Sequence, residues 1–111
     1  MAGSTKDFLK QVIQALRETE KEGFLTDRRA EGLSGISGFK TVGAIERLCE
    51  LFAGDDSACY LEIGVFQGLT LVSAALAAPG LPCIGIDNFA TLDPDGKNKE
   101  IASERLQRFG A

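Results

Sequence analysis

The chain has 111 residues, with 12 Lys and Arg, 16 Asp and Glu, no His and a formal net charge of −4. That length fits one small domain, and 44% hydrophobic with 25% charged residues excludes a disordered chain. Without His there is no Ser–His–Asp triad, His general base or His metal site here, and the mild acidity argues against nucleic acid or an anionic membrane surface as partner.

In chain order, residues 4–22 read as an amphipathic helix. Phe8, Leu9, Val12, Ile13 and Leu16 recur at helical spacing, Ser4 with Asp7 resembles a cap, and Gly23 is a stop signal. Gly32, Gly35 and Gly38 with Ser34 and Ser37 make residues 23–39 a loop. A second helix is predicted from Thr41 to Ala53, with Val42, Ile45, Leu48, Cys49 and Phe52 as its apolar stripe. Residues 58–63 read as a buried strand ending at Gly64. A third helix from Gly68 to Ala77 carries small apolar residues and stops at Pro79-Gly80. Residues 82–86 form a second apolar strand ending at Asp87. The run from Asp93 to Lys99 is a solvated turn, and residues 97–109 are a last helix with Ile101, Ala102, Leu106 and Phe109 on one side. Strand, helix and strand in close succession imply a parallel pair, the opening of a doubly wound α/β sheet.

Three cysteines, Cys49, Cys59 and Cys83, form no Cys-x-x-Cys pair, so neither a disulfide framework nor a zinc site is expected. Their apolar neighbours predict small buried hydrophobes in a reducing compartment. The N-terminus lacks the apolar run of a signal peptide, and Pro79, Gly80 and Pro82 interrupt the most apolar stretch before it could span a membrane. A cytoplasmic location and no membrane partner are the expectations.

The chemistry-bearing segment is Glu62-Ile-Gly64-Val-Phe66-Gln-Gly68-Leu-Thr70. An acidic residue closes a strand, a glycine turn follows, and a helix begins. Gly64 and Gly68 allow a sharp turn and close approach of a ligand to the backbone. The helix start presents unpaired N–H groups, and Thr70 adds a hydroxyl. Asp87, at the end of the next strand, offers two acceptor oxygens to two adjacent hydroxyls, as in a ribose. The dinucleotide pattern Gly-x-Gly-x-x-Gly fails at Phe66 and Leu69, and the P-loop pattern fails too. Structural readings stand beside these. The glycines also suit a plain tight turn, Glu62 a strand-end cap, Asp87 an Asx turn with Asn88, Thr70 an ordinary first-turn position, and Ser37 a plain loop.

Tyr60 to Phe89, and more loosely Gly35 to Phe89, resembles the N-terminal half of a class I S-adenosylmethionine-dependent methyltransferase, nearest the small-molecule O-methyltransferases. The resemblance implies an α/β, Rossmann-like half-fold of parallel strands flanked by helices, truncated after the second strand and its following helix. It implies residues 1–39 as an N-terminal helix and Gly/Ser-rich loop, and 40–111 as a partial cofactor domain. The implied cofactor is S-adenosyl-L-methionine. Glu62, Gly64 and Phe66 would lie along its methionine part, with Gly68 completing the turn. Thr70 would bond its carboxylate, and Ser37 with Gly38 would cover the same region. Asp87 would hold the ribose, with Asn88 and Phe89 near adenine. Phe66 stands where the family more often has glycine. The implied reaction is methyl transfer to an oxygen or nitrogen of a small-molecule acceptor, and no catalytic acid or base is assigned.

Two alternatives are weighed against it: a non-catalytic remnant or interaction module, and an NAD-dependent oxidoreductase fragment. Two parallel strands with open edges predict either a longer polypeptide with the missing C-terminal half or self-association as a homo-oligomer through the sheet edge.

Overall fold

The computed structural model describes residues 5–90 and 92–110. Its elements are α1 (Thr5–Glu22), a single turn of 3-10 helix (Arg29–Glu31), α2 (Phe39–Phe52), β1 (Tyr60–Ile63), α3 (Leu69–Ala77), β2 (Cys83–Ile86) and α4 (Asn98–Arg108). The strands form one two-stranded parallel sheet, with Tyr60 opposite Cys83 and Ile63 opposite Ile86. The chain is therefore a mixed α/β domain. Among the described residues, no helix is long and apolar enough to cross a membrane.

Helix α1 runs antiparallel to α2. Phe8 meets Phe52 edge to face at 5.4 Å at one end, and Gly23 lies against Gly43 at the other. Gly23 stops α1 as expected, in the left-handed conformation (φ 70°) with its N–H donating to Thr19 O. The buried stripe of α1 differs from the expected one. Ala15 and Thr19 are buried and Phe8 and Val12 half-buried, whereas Leu9, Ile13 and Leu16 remain 45–54% exposed. Hydropathy alone cannot tell two adjoining apolar stripes apart when the contact face is set by Gly43 and Arg47 of the partner helix. The expected cap at Ser4 lies outside the described residues.

Arg47 Nη1 donates to Gly23 O (2.5 Å) and Thr19 Oγ1 (3.2 Å), satisfying the carbonyl end of α1. Glu46, 1% exposed, accepts from Leu25 N at 3.0 Å and lies 3.9 Å from Arg28. Burial pushes its carboxyl above the usual range, against the opposing effect of these donors. Helix α2 begins two residues before the predicted Thr41, and Leu33 of the preceding loop is 1% exposed against Val42, Leu69 and Val72.

The sheet has one packed face and one open face. Tyr60, Glu62, Cys83 and Gly85 share the face toward α3, and a Cβ at Gly85 would stand 2.6 Å from Leu71 Cδ2 and 2.7 Å from Val65 Cγ2. The missing side chain at Gly85 makes room for those of Leu71 and Val65. Leu61, Ile63, Ile84 and Ile86 share the other face and are 51–81% exposed. The expectation of a buried strand over 58–63 is thus corrected. Pairing begins at Tyr60, and half of its side chains point away from the helices. Cys49 is buried and Cys83 half-buried, but Cys59 is exposed just before β1, correcting its expected burial. Burial pushes the Cys49 thiol up to about 11.

Candidate functional site

The turn between β1 and α3 is built from its hydrogen bonds. Gly64 N donates to Ile86 O at 2.8 Å, the last rung of the sheet. Gly64 has φ 93° and Gly68 φ 87°, values that L side chains rarely adopt. Gly68 N closes the turn on Val65 O at 3.0 Å, and Gly68 O starts α3 by accepting from Val72 N at 2.9 Å. A Cβ at Gly64 would meet nothing within 4 Å, so the backbone there borders open space.

Phe66 also has positive φ, 53°. This position in the turn therefore keeps a glycine-like backbone although it carries a phenylalanine. A bulky residue held there stores about 1–2 kcal/mol of strain. Phe66→Gly is accordingly expected to be more stable in urea unfolding than Phe66→Val, although valine keeps more apolar surface. The β-branched side chain is expected to cost about 1–2 kcal/mol more at this φ.

Asp87 ties the two strand ends together. Its Oδ2 accepts from Val65 N (2.8 Å) and Phe66 N (2.9 Å), and its Oδ1 from Phe89 N (2.7 Å). The backbone N–H of Phe66, then that of Phe89, hold its carboxyl below the usual range. Phe89 is left-handed as well (φ 55°), so one carboxylate anchors both strained aromatic positions. The N–H of Asn88 lowers the Asp87 proton affinity too, so the two oxygens face the backbone N–H groups of four residues. The Asn88 side chain turns back to accept from Ala90 N at 3.0 Å.

Glu62 is 8% exposed. Tyr60 Oη donates to its Oε1 at 2.6 Å, and Thr70 Oγ1 donates to the same oxygen. Burial and the bond to Glu62 push the Tyr60 phenol up. Among buried side-chain polar atoms of the described residues, Glu62 Oε2 is without a partner. An acceptor in that state costs free energy unless something donates to it.

The structure thus brings Glu62 to Thr70, and Asp87 to the turn of Gly64, Phe66 and Gly68. Ser37 stands further off. It is half-buried in a small cleft of about 220 Å³ with Gly35, Gly38, Phe39 and Leu69. Its loop reaches α3 through Gly35, whose Cβ would lie 3.1 Å from Leu69 Cβ. A wider groove, about 800 Å³, lies elsewhere, between α1, α2 and Ala77 of α3. Solvated Lys10, Gln14 and Glu18 line it, so the turn's unmet acceptor and open backbone single out a site better than volume does. Among the described residues, no three His, Cys, Asp or Glu side chains gather as metal ligands.

Five polar residues that bond around this turn, Tyr60, Gln67, Asp93, Asn98 and Arg105, were not singled out by the sequence. Tyr60 reaches Glu62, and Gln67 Nε2 donates to Asn98 Oδ1 at 3.0 Å. Arg105 Nη1 donates to Gln67 O. Asp93, expected as a solvated turn residue, accepts from Lys97 N and Asn98 N and so caps α4. The buried face of α4 is Asn98, Ala102 and Arg105, not an unbroken apolar stripe. Only the alternation of Tyr60 with Glu62 on one strand face was a usable signal. Comparison of the chain with protein-family models, curated proteins and solved structures finds no match.

Proposed function

We propose that the chain binds S-adenosylmethionine at the β1–α3 turn and forms the cofactor-holding part of a methyltransferase with a Rossmann-like fold. The acceptor atom would be an oxygen or nitrogen of a small molecule. The observation that carries this reading is Glu62 Oε2, a buried carboxylate oxygen with no partner at the strand end. An ammonium group is a fitting donor for it. Gly64 leaves the neighbouring backbone uncovered, and Asp87, at the end of β2, would face a ribose hydroxyl. Thr70 and Ser37 would flank the amino-acid part, and Asn88 and Phe89 the base.

When bound, the cofactor supplies an activated methyl group on a sulfonium sulfur. The chain's own residues bind and orient. Glu62 accepts from the ligand, Asp87 fixes the turn, and Gly64 and Gly68 allow approach. Catalysis of this kind rests on positioning, which needs no proton transfer by these groups.

A second reading, a binding module without catalysis, is favoured by the open aliphatic face of Leu61, Ile63, Ile84 and Ile86. Parallel sheets are normally covered on both faces. Calorimetric titration with S-adenosylhomocysteine and with NADH separates the readings. Saturable binding of the first alone is the expected result. Binding of NADH alone would favour an oxidoreductase. Binding of neither by a folded chain that self-associates in sedimentation would favour the module.

A further inference from the structure

We propose that Arg105 is the positioning residue of this site, fastening the Gly/Ser-rich loop to the turn in front of α3. It would thereby set the spacing between the two segments that hold the ligand. The inference rests on the ligand site proposed above.

Arg105 is 8% exposed. Its Nη1 donates to Ser34 O at 2.6 Å and to Gln67 O at 3.0 Å. One nitrogen carries two hydrogens, and each goes to a different segment. Ser34 stands three residues before Ser37, and Gln67 lies between Phe66 and Gly68. No carboxylate among the described residues pairs with this guanidinium within ion-pair distance. Buried cations are ordinarily paired. Burial, and then Arg108, lower its proton affinity, yet an arginine remains charged. A buried charge spent on two loop carbonyls is costly for stability alone, and it makes sense where the relative placement of those loops matters.

The rest of α4 supports the same turn. Asn98, two helical turns earlier on the same face, accepts from Gln67 Nε2 at 3.0 Å and donates to Leu92 O at 2.8 Å. Ala102, between them, lies under Gly68, where an added Cβ would stand 3.5 Å from Ala102 Cα. Helix α4 therefore grips the turn through side chain, carbonyl and glycine, and Arg105 joins turn and loop through a single nitrogen. Arg108, one turn further on, donates to Glu31 O at 2.6 Å from an exposed position and does not touch the turn.

The test compares the full chain with Arg105→Met, which keeps the stem and removes both bonds, and Arg105→Lys, whose ammonium can satisfy one carbonyl at a time. Amide hydrogen exchange without ligand is expected to quicken by about tenfold over residues 33–39 and 64–69 in Arg105→Met. The α1–α2 junction should be unchanged. S-adenosylhomocysteine affinity should fall by about tenfold, the effect of one lost hydrogen bond to a charged group, and Arg105→Lys should recover part of it. A uniform rise in exchange over the whole chain would overturn the proposal, because Arg105 would then be a general staple. Unchanged affinity in Arg105→Met would overturn it while leaving the proposed function standing. If Arg105→Met does not fold, unchanged affinity in Arg105→Lys does the same. Absence of binding by the wild-type chain overturns the proposed function, and this inference with it.

Discussion

Gly43→Ala is expected to lower stability by about 3 kcal/mol, near the upper end for overpacking. A Cβ at this position would stand 2.1 Å from Gly23 O and 2.7 Å from Gly23 C, both backbone atoms. Neither can rotate away. Helix α1 would have to move, and Gly23 O is also the acceptor for Arg47 Nη1 at 2.5 Å. Displacing it weakens the bond that satisfies the buried guanidinium. Alanine gains about 1 kcal/mol of helix propensity over glycine, which offsets only part of the clash. For a chain of this size the melting temperature should fall by roughly 15 °C. Gly54→Ala is the control, since nothing lies within 4 Å of a Cβ there. Calorimetric melting checks both. A Gly43→Ala chain as stable as the wild type would mean that the two helices do not meet at this glycine.

Asp87→Ala is expected to have the largest effect on the candidate site. It removes the common acceptor of Val65 N, Phe66 N and Phe89 N. Two of those residues hold left-handed backbones that they would not adopt unaided. Both loops should relax, and S-adenosylhomocysteine affinity should fall by about tenfold or more. Asp87→Asn retains one accepting oxygen and should fall between alanine and wild type. The pH dependence has a definite sign. The folded chain holds the carboxyl below its ordinary value, so the folded state binds its proton less readily than the unfolded chain does. The contribution of Asp87 is fully present above the ordinary value of 3.8 and is lost as pH falls through the lowered folded one. The stability gap between wild type and Asp87→Ala should therefore be flat from pH 7 to about 5 and close on further acidification. Urea unfolding at several pH values measures it. A gap that widens with acid would contradict the role given to the carboxylate.

Local signals made much of this chain legible. Gly23, Pro79-Gly80 and the glycine turn are punctuation whose effect is set by backbone sterics, so the helix ends and the β1–α3 turn follow from the residues themselves. The parallel pairing follows from the short strand–helix–strand succession. The polar groups that tie distant segments together were not legible. Arg47 acts across α1 and α2, and Arg105 across segments 71 and 38 residues away. No periodicity marks a charged residue as buried when its partners are backbone carbonyls elsewhere in the chain. The sheet's open face was missed for a related reason. Alternation in Tyr-Leu-Glu-Ile places Leu61 and Ile63 on one side, but only the positions of α2 and α3 decide which side is covered. At the candidate site the residue types were readable while their present bonds were not. Asp87 spends its acceptor sites on backbone amides, and Glu62 keeps one oxygen without a partner.

The β1–α3 turn is proposed as a ligand site for an S-adenosyl group. The most direct measurement is amide chemical-shift mapping of the labelled chain during titration with S-adenosylhomocysteine. Saturable shifts concentrated at Gly64, Phe66, Gly68 and Phe89, with little change along α1, are the expected result for such a site. No shifts in a folded chain, or shifts confined to the groove beside Lys10 and Glu50, would contradict it.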